Sequence, residues 1–179
     1  MNCVLFVRRC AALLALVGSC AFADPGVSDK EIVVGQFAAQ SGPAAELGKR
    51  MQQGILAYFK AVNAGGGIQG RMVRLVSRDD GYEPERCAAA VKMLIEQEKV
   101  FAVIGGVGTP TAKVAVPLCT EAKVPFLGAF AGAELLRTPY NRYVVNVRAS
   151  YFQETEALAQ HLVDHGGMQR IACFYQDDA

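Results

Sequence analysis

Between Val100 and Thr111 the chain reads VFAVIGGVGTPT, a continuous apolar run that breaks into glycines and then into a threonine and a proline. Such a run suits a strand buried on both faces of a parallel sheet. Thr109 suits the N-cap of a following helix and Pro110 its first helical position. Gly108 allows a ligand to approach the backbone closely. The chemistry this creates is a set of unpaired N–H groups at a helix start with a hydroxyl beside them, which favours a carboxylate or similar small anion. An ordinary capped helix has the same signature, so this segment alone leaves both readings open.

Other reactive patterns are thin. Gly65-Gly66-Gly67-Ile68-Gln69-Gly70 satisfies GxGxxG, but it follows a helical pattern and enters a strand, the reverse of the dinucleotide context, and so reads as a tight connection. No GxxxxGK[ST] phosphate loop and no GxSxG elbow occurs, and Ser41-Gly42 reads as a turn. His161 and His165 share a helical face, yet HLVDH is not HExxH and reads as polar residues near a helix end. The adjacent acids Asp79-Asp80 and Asp177-Asp178 point different ways from a strand and make no acid/base dyad. These residues imply a binding cleft without reaction machinery; neither a cofactor nor a metal is expected.

The elements that would position the cleft alternate. Glu31 to Ala39, Arg71 to Asp80, Val100 to Gly105, Pro125 to Phe130, Tyr143 to Arg148 and Arg170 to Tyr175 read as strands. Helical periods fall at 44–63, 87–95 with Pro84 in the first turn, 110–122 and 151–165, with a short helical turn near 133–136. This order predicts right-handed βαβ units, an α/β parallel sheet with helices on both faces. In such a sheet ligands bind beyond the carboxyl ends of the strands, where strand order reverses. The loops 40–43, 79–83, 106–111 and 129–133 would stand there. The last strand has no helix after it, which is expected of a fragment or truncated product.

Composition narrows the function class. The 179 residues hold 18 Lys+Arg against 17 Asp+Glu, so no broad positive field exists for nucleic acid. Arg8-Arg9, the apolar stretch from Cys10 to Phe22 and the small-x-small Ala21-Phe22-Ala23 predict a cleaved secretory signal peptide over 1–23; lipid attachment at Cys20 is the alternative. Cys87, Cys119 and Cys173 would remain, an odd number that rules out a disulfide framework. The first two, on parallel helices but offset along them by roughly 9 Å, are expected as free thiols, and Cys173 as a small core residue of the last strand.

In order along the chain stand QSGPAAELG, NAGGGIQGR, DDGYEPERC, VIGGVGTPT, VPFLGAFAGAELLR and VRASYFQETEALAQHL. This succession resembles the periplasmic solute-binding proteins of ABC transporters, of the branched-chain amino acid (Leu/Ile/Val-binding) type. The resemblance runs from about Glu31 to the last residue. It implies a periplasmic binding protein type I fold: a first α/β lobe over 24–145, then a crossover and an incomplete second lobe over 146–179. It also implies an amino acid or organic acid as ligand, held by lobe closure, and a permease at the inner membrane as partner. Carried over by residue, the carboxylate-binding Ser/Thr falls on Thr109, with the Val107 and Gly108 backbone beside it. The second ligand-holding loop falls on Phe130, Ala131 and Gly132. Ser41 lies at the cleft edge, with Tyr82 and Tyr151 as further wall residues. Gly132 stands where Leu/Ile/Val binders have a Thr, and Tyr82 and Gly108 stand where some members carry a disulfide. The acid that receives a ligand amine would lie beyond Ala179. A sensory domain of the same fold, or an exported α/β enzyme, is the alternative.

Overall fold

A computed structural model describes residues 24–175. One all-parallel sheet contains β1 (Glu31–Ala38), β2 (Met72–Asp79), β3 (Ala102–Ile104), β4 (Phe126–Leu127) and β5 (Val144–Val145), in the spatial order β2-β1-β3-β4-β5. The connections are α1 (Ala45–Ala64), α2 (Pro84–Lys92) with a π-helical continuation over Met93–Gln97, α3 (Thr109–Glu121) and a 3-10 turn at Glu134–Leu136; α4 (Tyr151–Asp164) follows β5. The chain steps from β1 to β2 in one direction and from β2 past β1 to β3 in the other. Right-handed crossovers therefore put α1 on one face and α2 with α3 on the opposite face.

The larger core lies under α2 and α3. Val33, Phe37, Val103 and Phe126 of the strands meet Cys87, Val91 and Leu94 of α2 and its continuation, and Ala112, Ala115 and Cys119 of α3. Alanines on these helices let them lie close to the sheet. The Phe37 and Phe126 rings, 5.3 Å apart and tilted by 52°, fill the space a side chain at Gly106 would need. Aromatic pairs in this arrangement add about 0.5–1.5 kcal/mol beyond their buried area. The core thus supports the loop that follows β3 directly.

On the opposite face, α1 comes so close to the strand end that a Cβ at Gly48 would overlap the Ala39 carbonyl. At the outer edge, Asn63 clips onto β2: its Nδ2 donates to the Val73 carbonyl at 2.9 Å and its Oδ1 accepts the Val73 N–H at 2.8 Å.

The structure changes three expectations. Arg170 to Tyr175 forms no strand and is exposed, because an extended segment needs a hydrogen-bonded neighbour and has none among the described residues. Cys173 is accordingly exposed instead of a core residue. β4 and β5 are shorter than their apolar runs, since residues 128 to 133 leave the sheet to build a loop. Cys87 and Cys119 are buried free thiols, and burial pushes both up, Cys119 to about 12. The expected signal segment 1–23, with Cys20, and the acids Asp177 and Asp178 lie outside the described residues.

The two glycines of α1 should respond oppositely to alanine. Gly54 has open space at its Cβ position, so Gly54→Ala should raise stability by about 0.5–1 kcal/mol through helix propensity. Gly48→Ala forces backbone apart and should lower stability by about 2 kcal/mol or more. Urea unfolding of the two variants measures both signs.

Candidate functional site

The reversal of strand order falls between β1 and β3, the place where an open parallel sheet sends its loops apart. Beyond the end of the sheet, the loops after β3 and β4 remain laced. Val107 pairs with Phe130 as an isolated parallel bridge, the Phe130 N–H donates to the Gly106 carbonyl at 2.8 Å, and the Gly108 N–H reaches the Phe130 carbonyl at 3.5 Å. The two segments expected to hold a ligand are therefore side by side.

Gly108, not Thr109, is the N-cap of α3. Its φ of 100° and ψ of 155° are open to glycine at no steric cost, and its carbonyl accepts the Ala112 N–H at 3.1 Å. Thr109 and Pro110 move one place inward, as the first two helical residues. The hydroxyl that folds back is that of Thr111, which donates towards the carbonyls of Val107 and Gly108. Thr109 is left with an N–H and a hydroxyl that pair with nothing among the described residues. With a positive helix end behind them, these donors have the charge sense that suits a small anion.

Aromatic rings replace missing side chains on both loops. The Tyr82 ring occupies the room a Cβ at Gly108 would take, and the Tyr151 ring does the same at Gly132. The Tyr151 N–H donates to the Gly132 carbonyl at 2.8 Å. Ala131 is fully buried, whereas Phe130 is partly exposed and faces a groove of about 340 Å³ lined also by Glu46, Leu47, Arg50 and Met51 of α1. Of the candidate residues, Tyr82, Val107, Gly108, Thr109, Phe130, Ala131, Gly132 and Tyr151 belong to this one connected assembly.

Ser41 is engaged elsewhere. Its hydroxyl donates to Asp79 Oδ2 at 2.6 Å and its N–H to Oδ1 at 3.2 Å. Asp79 also accepts the N–H groups of Gln40 at 2.7 Å and Gly81 at 2.9 Å, and an Arg86 guanidinium at 2.8 Å. Burial alone would raise this carboxyl, but the Ser41 hydroxyl, the two amides and Arg86 outweigh it and hold Asp79 well below the usual range. Asp79 thereby ties the loop after β1 to the end of β2. Its neighbour Asp80 is fully buried; Oδ1 accepts the Tyr82 N–H at 2.8 Å and Oδ2 has no partner among the described residues. Burial, with a smaller push from the Asp79 charge, raises Asp80 from 3.8 to about 6 against the pull of the Tyr82 amide and Arg86.

Sequence reasoning weighed Asp79 only as half of an acid/base dyad and passed over Arg86, Arg148 and Glu154. A readable signal existed for the last two: Ser150-x-x-Gln153 is a capping-box pattern, and both reciprocal bonds form, at 3.1 and 3.0 Å. It marks the start of α4 and brings Arg148 and Glu154 to opposite sides of one cap.

A doubly wound lobe with unpaired donors near its strand-order reversal has the layout in which open α/β sheets bind ligands. The chain belongs to the periplasmic binding protein family, whose model matches residues 31–179. The Leu/Ile/Val-binding protein homolog 7 of Brucella suis is 29% identical over 175 residues, covering 93% of this chain and 44% of that protein. The Leu/Ile/Val-binding protein of Escherichia coli K12 is 25% identical over 161 residues, covering 90% of this chain and 43% of that protein. The solved structure of a possible leucine/isoleucine/valine-binding protein from Rhodopirellula baltica matches with a TM-score of 0.72 and 42% identity, over 83% of this chain and 38% of that one. The chain thus spans less than half the length of these relatives, and its described fold is that of a first lobe of the type I class.

Titration of Asp80 should be visible in the stability profile. A carboxyl raised in the folded state contributes stability below its ordinary value near 4 that is lost as pH rises through about 6. Asp80→Asn should flatten the profile between pH 4 and 7 and gain on the order of 2 kcal/mol at pH 7. Asp79 has the opposite sign: its contribution is present above the ordinary carboxylate range and is lost as pH falls below it, so Asp79→Asn should destabilise at pH 7. Urea midpoints at closely spaced pH values measure both, and parallel profiles for wild type and Asp80→Asn would contradict the assignment.

Proposed function

We propose that this chain carries the first, carboxylate-holding lobe of an extracytoplasmic solute-binding protein that serves an ABC importer. The observation that carries the reading is the pair of donors on Thr109, the N–H and the hydroxyl, unpaired among the described residues at the first turn of α3 and laced beside the Phe130 to Gly132 loop. Residues 24–145 form the lobe and 146–179 the crossover into a second one. The ligand is an amino acid or a related small organic acid. Its carboxylate sits on the Thr109 donors with the Val107 and Gly108 backbone beside them, and its body lies against Tyr151, Tyr82 and the Phe130 to Gly132 loop, with Ser41 at the rim through Asp79. Closure of a second lobe over this face would bury the ligand and supply the affinity.

Membership in a family of binding proteins supports binding over catalysis. The relatives named for leucine, isoleucine and valine support the amino-acid class. The same membership supports a periplasmic location reached through a signal peptide over 1–23, and a permease at the inner membrane as the recipient of the ligand.

Isothermal titration of the protein as its gene encodes it, with L-leucine, L-valine, L-glutamate and benzoate, tests the reading. At least one should bind, and Thr109→Val, which keeps shape and removes the hydroxyl, should weaken that ligand about 10- to 100-fold, the value of a hydrogen bond to a charged group. Equal affinity in the variant would refute the role of Thr109.

A further inference from the structure

The crossover from β5 into α4 carries a side-chain cluster that neither binding loop contains. The guanidinium carbon of Arg148 lies 5.8 Å from the centre of the Phe130 ring and 5.4 Å from the centre of the Tyr151 ring. The same guanidinium makes a two-pronged pair with Glu154 in the first turn of α4: Nε donates to Oε1 at 2.8 Å and Nη2 donates to Oε2. Its backbone carbonyl is held in turn by Arg137 Nη2 at 2.7 Å. Tyr151 stands with Cδ1 2.6 Å from the point a Cβ at 132 would occupy.

These contacts share one effect. α4 buries none of its residues, and Tyr151 is 44% exposed; an exposed ring left unrestrained changes rotamer on a fast timescale. A planar guanidinium locked by both oxygens of a carboxylate has one orientation, and stacked on the ring it restricts the ring as well. The pair itself is partly exposed and contributes little to global stability. Its consequence is orientation.

We propose that Arg148 is a positioning residue for the ligand site. Locked by Glu154, it clamps the Tyr151 ring over Gly132 and fixes the wall beside the Thr109 donors. The wall's part in binding rests on the solute-binding reading above; the clamp does not.

Two measurements on the protein as encoded separate them. In amide NMR spectra, Tyr151→Ala removes the ring current at Gly132. Arg148→Met should move the Gly132 amide resonance in the same direction, with Arg148→Lys between Met and wild type, while the melting temperature changes by no more than about 2–4 °C. A Gly132 resonance unmoved in Arg148→Met overturns the proposal. By calorimetric titration with L-leucine and benzoate, Arg148→Met should weaken whichever binds by about five- to tenfold, and the factor should vanish in the Tyr151→Ala background. A factor that persists there would mean that Arg148 touches the ligand itself, and the positioning role would fall. If neither probe binds wild type, L-valine and L-glutamate take their place in the titration; if none of the four binds, the solute-binding reading falls, and the Gly132 resonance still decides the clamp.

Discussion

The two hydrogen bonds that join Phe130 to Gly106 and Gly108 continue the pairing of β3 with β4 past the point where the sheet has ended. Everything in the candidate site depends on this extension. It brings the first turn of α3 against the loop that carries Gly132, and it does so with backbone groups, whose geometry varies little with the side chains around them. Beneath it the Phe37 and Phe126 rings fill the volume that Gly106 leaves open, so that loop and core are packed as one body. A backbone N–H such as that of Thr109 depends on this rigidity, because it cannot swing to find a partner as a lysine or arginine can.

The charge arrangement divides the site from its surroundings. Asp79 gathers the amides of the loop after β1 and an arginine into a closed hub. It is a fixed anion whose lone pairs are already used, so its charge is largely answered locally. Arg148 is neutralised in the same way by Glu154. The Thr109 donors, by contrast, have no such partner among the described residues.

How much of this could be read from the sequence follows from how local each signal is. The segment around Thr109 was legible because a buried strand, a glycine turn and a threonine-proline helix start each carry their own composition. The position of the cap was off by one, since Gly108 takes the positive backbone angle at the turn and leaves Thr109 as the first helical residue, while the Thr111 hydroxyl donates back to the carbonyls of Val107 and Gly108. The order of strands and helices was legible from apolar period alone. Arg170 to Tyr175 was misread for the opposite reason: alternation states that a segment could be a strand, and only a neighbour makes it one. The contacts of Tyr151 with Gly132, and of Arg148 with Phe130, join residues with no shared local pattern, and nothing short of the fold could have paired them.

Asn63 leaves a different mark on the molecule. By answering both the N–H and the carbonyl of Val73 with one side-chain amide, it behaves like the first rung of a strand that is not there. An open sheet border is otherwise a template onto which a neighbouring polypeptide can zip. A crowded solution of this protein is therefore denied its easiest seed for fibrous assembly at that rung, by a helix-end residue whose own job is to close α1 against the sheet.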